Sequence, residues 1–200
     1  SGSLNRFWNI REISQSSGNA GPVPDIVNQE LRTRLSYYEK GRITYKRDLS
    51  PKNIEELADW IDGFEGPRLV ILNTVQSAAV LADHFASRFG QDRVEHLSTA
   101  LTPNDRDKVL ERVINRLKNP EDKNWTFIAT SCVEAGVDLS FRIGFRELGS
   151  LVSLLQAAGR INREGLYEDS EIWTFCLAED RMLKINPVMK ESAAVQNVHI

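Results

Sequence analysis

Residues 68–90 read RLVILNTVQSAAVLADHFASRFG, and the order of side chains in this stretch decides the fold. Leu69-Val70-Ile71-Leu72 is a short continuous apolar run behind the Gly66-Pro67 turn. Such a run suits a strand buried on both faces of a parallel sheet. Val75, Ala78, Ala79, Ala82, Phe85, Ala86 and Phe89 then follow helical spacing, and Gly90 stands where a helix stop is wanted.

Working outward, the same alternation continues. Val94–Leu97 makes another short strand. Thr102-Pro103 offers a cap and a first-turn proline to a helix striped by Val109, Leu110, Val113, Ile114 and Leu117, which Asn119-Pro120 ends. Further strands are expected at Trp125–Ala129, Arg142–Arg146 and Glu171–Leu177, with a helix over Leu151–Ala158. Upstream the chain is less regular. Ser50-Pro51 predicts a cap and first-turn proline for a helix over Asn53–Ile61, closed by Gly63 and Gly66-Pro67, and Ser14–Pro24 has loop composition. Strands alternating with helices across short connections give an α/β fold, a wound parallel sheet flanked by helices. It is expected over residues 65–180, with 1–64 an extension or connector, partly helical, and 181–200 a tail.

Composition narrows the function. No apolar run approaches a membrane span, and the Ser1-Gly2-Ser3 start reads as a cut end or cloning remnant, not a signal peptide, so a fragment is expected. Cys132 and Cys176 lie far apart without CxxC spacing, which argues against structural zinc and a disulfide scaffold and makes the cytoplasm the expected compartment. The formal net charge of -3 supplies no general electrostatic sheath for nucleic acid. Any such contact must be local. The stretch Glu30–Arg47 is basic (Arg32, Arg34, Lys40, Arg42, Lys46, Arg47), and a solvated helix face with a connector is its better reading.

In open α/β sheets ligands bind beyond the carboxyl ends of the strands, so the loops leaving those strands hold the candidate chemistry. Asn73 and Thr74 leave the first strand directly into a helix start, where small polar groups and free N–H donors suit a backbone phosphate, although a plain helix cap explains Thr74 as well. Thr130 and Ser131 leave another strand as hydroxyl donors. Gly136 permits close backbone approach, and Asp138 supplies a carboxylate for a ribose hydroxyl, although in isolation a turn explains both. Gln156, Arg160 and Arg163 are spaced i, i+4 and i+7, so a helix running through Gly159 would project all three from one face. Leu151, Val152, Leu154 and Leu155 would plant that helix in the core. Two fixed arginines repel unless an anion lies between them, and a γ-phosphate is such an anion. The plainer alternative is a solvated basic face paired with Glu164 or Glu168.

Taken in order, Leu72-Asn73-Thr74, Thr130–Asp138 and Gln156–Arg163 resemble helicase motifs IV, V and VI of superfamily 2. The wording "GPRLVILNTVQSAAVLADHF", "STALTPNDRDKVLERV", "TSCVEAGVDLSF" and "LLQAAGRINREG" is similar to the CRISPR-associated helicase-nucleases of type I systems, over Gly66–Gly165. The resemblance implies the second RecA-like (P-loop NTPase-type) lobe of a prokaryotic antiviral helicase. By that implication Arg160 and Arg163 contact the γ-phosphate, with Arg163 the preferred finger, and Gln156, Gly136 and Asp138 lie by the nucleotide. Asn73, Thr74, Thr102, Arg106, Thr130 and Ser131 would hold single-stranded DNA.

The chain carries no G-x-x-x-x-G-K-[ST] and no DExD or DExH run, and its histidines are His84, His96 and His199. The resemblance therefore implies ATP with Mg2+ shared with a first RecA-like lobe, no metal held by this chain alone, and an isolated chain that is inactive. Its implied partners are that first lobe, a nuclease domain, single-stranded DNA and a CRISPR surveillance complex. Two other readings stay open from the residues: a lobe of another superfamily 2 RNA helicase or duplex translocase, and a non-catalytic binding module of the same fold.

Overall fold

The computed structural model describes residue 33, residues 41–133 and residues 138–179. The chain divides between Lys40 and Gly41, and the fold that follows is that of the unit beginning at Gly41. The strands are β1 (Thr44–Lys52), β2 (Arg68–Leu72), β3 (Val94–Leu97), β4 (Thr126–Thr130), β5 (Ile143–Glu147) and β6 (Glu171–Leu177). They form one sheet in the order β1-β6-β5-β2-β4-β3, with every neighbouring pair parallel. Between them run α1 (Ile54–Asp62), α2 (Val75–Phe89), α3 (Pro103–Lys118) and α4 (Leu151–Ala158).

Every residue of β2, β4 and β5 is buried, as continuous apolar strands in the middle of a parallel sheet must be. Alternation divides β2 between two cores. Leu69 and Ile71 pack with Val109 and Val113 of α3 and Leu154, Ala157 and Ala158 of α4 on one face. Val70 and Leu72 pack with Leu57, Ala58 and Ile61 of α1 and Leu81, Ala82 and Phe85 of α2 on the other. Each large side chain so buried is worth about 1.5–3 kcal/mol of transfer free energy. The α/β sheet with helices on both faces is the architecture expected from the sequence.

The helix starts follow from side-chain caps. Thr74, Thr102 and Ser150 each accept from the backbone N–H three residues on. The start of α1 differs from expectation. Ser50 and Pro51 belong to β1, and the cap is Asn53, which closes a capping box with Glu56. The register of β1 against β6 shifts between Asp48 and Pro51. Edge strands tolerate both a proline and such an irregularity, and the charges of β1 discourage pairing with another chain. Since β1 extends the sheet and α1 enters the core, the folded unit takes in residues ahead of 65. Residues 180–200, the Ser14–Pro24 segment and Gly136 lie outside the described residues.

At the amino edge, Arg68 is 1% exposed and bonds Asp62, Thr126, Asn124 and the Phe64 carbonyl. Burial pulls its pKa down to about 10, which leaves the guanidinium charged at neutral pH. Among the described residues no helix is long and apolar enough to cross a membrane.

Candidate functional site

Because all six strands run the same way, the residues leaving β2, β3, β4 and β5 share one edge of the sheet. Asn73 and Thr74 follow β2, Thr102 and Arg106 lie in the connection after β3 and the start of α3, and Thr130 and Ser131 stand at the end of β4. Thr74 caps α2, accepting from Ser77 N at 3.0 Å, so the structural explanation of that residue is realised in full. Thr102 likewise caps α3. The Arg106 guanidinium donates to the carbonyls of Leu101 at 3.1 Å and Thr99 at 2.6 Å, which fastens the loop between β3 and α3. Thr130 is buried and donates to Cys132 Sγ at 3.3 Å, whereas Ser131 is exposed.

Beneath Asn73 lies a charged pair that sequence reasoning did not single out. Arg146, 1% exposed, donates from Nη1 to Asn73 Oδ1 at 2.7 Å, and Glu147, 3% exposed, accepts from the Asn73 N–H at 2.7 Å. Asn73 Nδ2 donates to the Leu148 carbonyl at 2.9 Å. Burial pushes the Glu147 carboxyl above its ordinary range, against the opposing pull of the Asn73 N–H and Arg146. The charge of Arg146 within a buried strand was the available signal.

The arginines are arranged differently from the i, i+4, i+7 expectation. α4 ends at Ala158, and Gly159 caps it with its N–H on the Leu155 and Ala157 carbonyls. The chain then turns to pair with the segment before β5: Phe141 N donates to Arg160 O, and Asn162 N to Phe141 O, at 2.9 and 2.8 Å. A single helix face therefore does not carry the three residues. Gln156 is exposed on the last turn, Arg160 is buried just past it, and Arg163 lies in the loop beyond. Nor does α4 bury every leucine and valine expected to plant it: Leu154 is buried, but Val152 and Leu155 are 64% and 53% exposed.

α4 returns toward the segment before β5, and past its end Arg160 and Arg163 converge on the crossover from β4 to β5. Arg160 Nε donates to the Val133 carbonyl at 3.1 Å, and Arg163 Nε lies 3.2 Å from Asp138 Oδ1. Burial lowers the Arg160 pKa first, the Arg163 charge lowers it further, and Asp138 opposes both. Asp138, not Glu164 or Glu168, is thus the described counter-ion of Arg163, and its side chain is 86% exposed. Two neighbouring guanidiniums eased by an exposed carboxylate have the charge to accept an incoming anion such as a phosphate.

Two further residues place this cluster. Gly144 of β5 has no room for a side chain: a Cβ there would stand 2.7 Å from Ile161 Cδ1. Ile161 therefore seats directly on the strand between the arginines' turns. Asn162, 2% exposed with φ of 44°, holds the left-handed turn that an asparagine tolerates better than most residues.

Comparison with known proteins places these features in a family. The family described as "CRISPR-associated nuclease/helicase Cas3, C-terminal" matches residues 65–166. The CRISPR-associated nuclease/helicase Cas3 of Haloferax volcanii is 40% identical over 70 residues, 35% of this chain and 7% of that protein. The crystal structure of T. fusca Cas3-ADP is similar with a TM-score of 0.59 at 17% identity, covering 74% of this chain and 20% of that one. The C-terminal domain of the DEAD-box protein Dbp5 is similar with a TM-score of 0.55 at 16% identity, covering 80% of this chain and 86% of that one. Those structures share the RecA-like helicase fold with this chain. The chain spans 7% of the curated relative and a fifth of the T. fusca chain.

Proposed function

Because this chain belongs to the family of CRISPR-associated nuclease/helicase Cas3 C-terminal domains, we propose that it serves as the second motor lobe of an ATP-dependent DNA helicase or translocase of CRISPR interference. The observation that carries this reading is the meeting of Arg160, Arg163 and Asp138 at the crossover between β4 and β5. ATP with Mg2+, shared with a first lobe of the parent, supplies the phosphoryl group whose hydrolysis drives the motor. Arg163, half exposed on a loop, exchanges Asp138 for phosphate oxygens when the lobes close, and stabilises charge on them as an arginine finger does. Arg160 stays anchored to the Val133 carbonyl and adds a second positive charge. Asp138, released, accepts a ribose hydroxyl, with Gly136 and Gln156 beside the nucleotide.

The carboxyl edge is a separate surface in this reading. Ser131 is exposed there, Asn73 and Arg106 are held by the bonds described, and the N-terminal amides of α2 and α3 open behind Thr74 and Thr102. Together with Thr130 these groups track the phosphates of a single strand, contacts that position nucleic acid without reading its sequence. The same proposal extends to the other partners of the parent: a first RecA-like lobe, a nuclease domain and a CRISPR surveillance complex.

The test is Arg163→Ala in the parent protein. DNA-stimulated ATP hydrolysis is expected to fall by about a thousandfold or more, with single-stranded DNA still bound. Normal turnover would remove the finger assignment. Stimulation of the unaltered parent by single-stranded RNA, in place of single-stranded DNA, would move the substrate to RNA.

A further inference from the structure

The loop that carries Arg163 is fixed from outside the three motor motifs. Asn162 Nδ2 donates to the Arg42 carbonyl at 3.0 Å and to the Tyr167 carbonyl at 2.7 Å, and its Oδ1 accepts from Tyr167 N at 3.0 Å. Arg42 answers with its guanidinium, whose Nη1 lies 3.3 Å from the Asn162 carbonyl and 3.4 Å from that of Arg163. The two residues are thus joined through side chain and backbone in both directions. We propose that Arg42 and Asn162 form a positioning clamp that sets the backbone from which Arg163 reaches phosphate. This inference rests on the reading of Arg163 as the finger.

The physical argument concerns leverage. The Arg163 side chain is 46% exposed and its described partner is the still more exposed Asp138, so little around the guanidinium itself fixes its approach. Its direction is inherited from the backbone. That backbone is seated on one side by Ile161 against Gly144 and paired on another with Phe141. Past Ile161 the chain enters the left-handed conformation at Asn162, which bonding to Arg42 and Tyr167 holds in place. A small rotation there is magnified along the length of an arginine, and a misplacement of about 1 Å can cost about a hundredfold in rate. Arg42 stands two residues before β1, and Thr44 N donates to Ser170 O at 2.8 Å where that strand joins β6. The segment entering the sheet therefore braces the finger loop.

Arg42→Ala in the parent protein tests the clamp without cutting into the core. The kcat of DNA-stimulated ATP hydrolysis is expected to fall by about ten- to a hundredfold, while KM for ATP and Kd for single-stranded DNA change by less than about threefold. Asn162→Asp, which keeps the acceptor and loses the donor, should show the same split. Because both act through Arg163, adding Arg42→Ala to Arg163→Ala should cause no further loss. A normal kcat in Arg42→Ala, beside the large loss in Arg163→Ala, overturns the clamp and leaves the finger standing. Equal losses on both backgrounds also overturn it, since the residue would then matter to the fold alone. An active Arg163→Ala removes the finger, and the clamp with it.

Discussion

At Glu147 a carboxylate with 3% exposure sits next to a guanidinium with 1%, and the balance of that pair holds Asn73 at the mouth of β2. Desolvation exceeds the stabilising contacts, since the Glu147 pKa rises above its ordinary 4.5. A folded-state pKa above the unfolded value means that the folded chain binds the proton more tightly. The associated stability is fully present below the unfolded pKa and is lost as pH rises through the folded one. Glu147→Gln keeps an acceptor for the Asn73 N–H and has no carboxylate to desolvate. Its thermal midpoint should therefore exceed that of the unaltered chain at neutral pH, with the difference shrinking as pH falls through the carboxylate range. A difference independent of pH would show that Arg146 compensates the charge completely. Arg146 was visible in the sequence as a charge at the end of an expected strand, with Glu147 one residue beyond it, but their grip on Asn73 joins residues 73 positions apart or more and has no local signature.

Elements differ in how far local sequence determines them. β2, β4 and α4 were legible almost to the residue, because each is marked by a concentrated apolar stretch, although the Ser150 cap of α4 emerged only from the structure. β1 was hidden. Its sequence TYKRDLSPK is charged, its partner β6 lies more than a hundred residues away, and Ser50-Pro51 imitates a helix start. The capping chemistry separates the two positions: Asn53→Ala should cost about 1 kcal/mol of stability in thermal or denaturant unfolding, and Ser50→Ala should cost α1 no cap. The arginine loop was partly legible. Its residue types pointed to an anion, but the helical spacing assumed that α4 continues, and Gly159 with the Phe141–Ile161 bridge ends it. That bridge depends on Gly144. Gly144→Val would drive a branched side chain into Ile161, and overpacking of this kind costs about 1–3 kcal/mol. Beyond the stability loss, turnover in the parent should fall while the single-stranded DNA binding proposed for the ends of β2, β3 and β4 persists; loss of both together would mean that the two groups of residues do not respond separately.

For the whole molecule, the decisive feature is that two groups of candidate residues are set by different elements, one by the carboxyl ends of β2, β3 and β4 and one by the turn after α4 where it meets the crossover from β4 to β5. A motor needs both to be completed by another body, because arginines can stabilise a transferring phosphoryl group only where something else holds the nucleotide. The sequence carries no phosphate-cradling loop and a net charge of -3, so the proposed function leaves most of the hold on nucleotide and strand to the rest of the parent protein. The isolated chain is accordingly expected to hydrolyse no ATP above background, with or without DNA. Its binding of single-stranded DNA should be weak, and only shallowly dependent on salt. Each phosphate neutralised on a single strand contributes about −0.7 to the slope of log K against log salt concentration, and a surface built from helix amides, hydroxyls and Arg106 neutralises few. Fluorescence anisotropy across a salt series measures that slope. A steep slope would place a large cationic surface on this chain, and the strand would then be held by residues other than those at the ends of β2, β3 and β4.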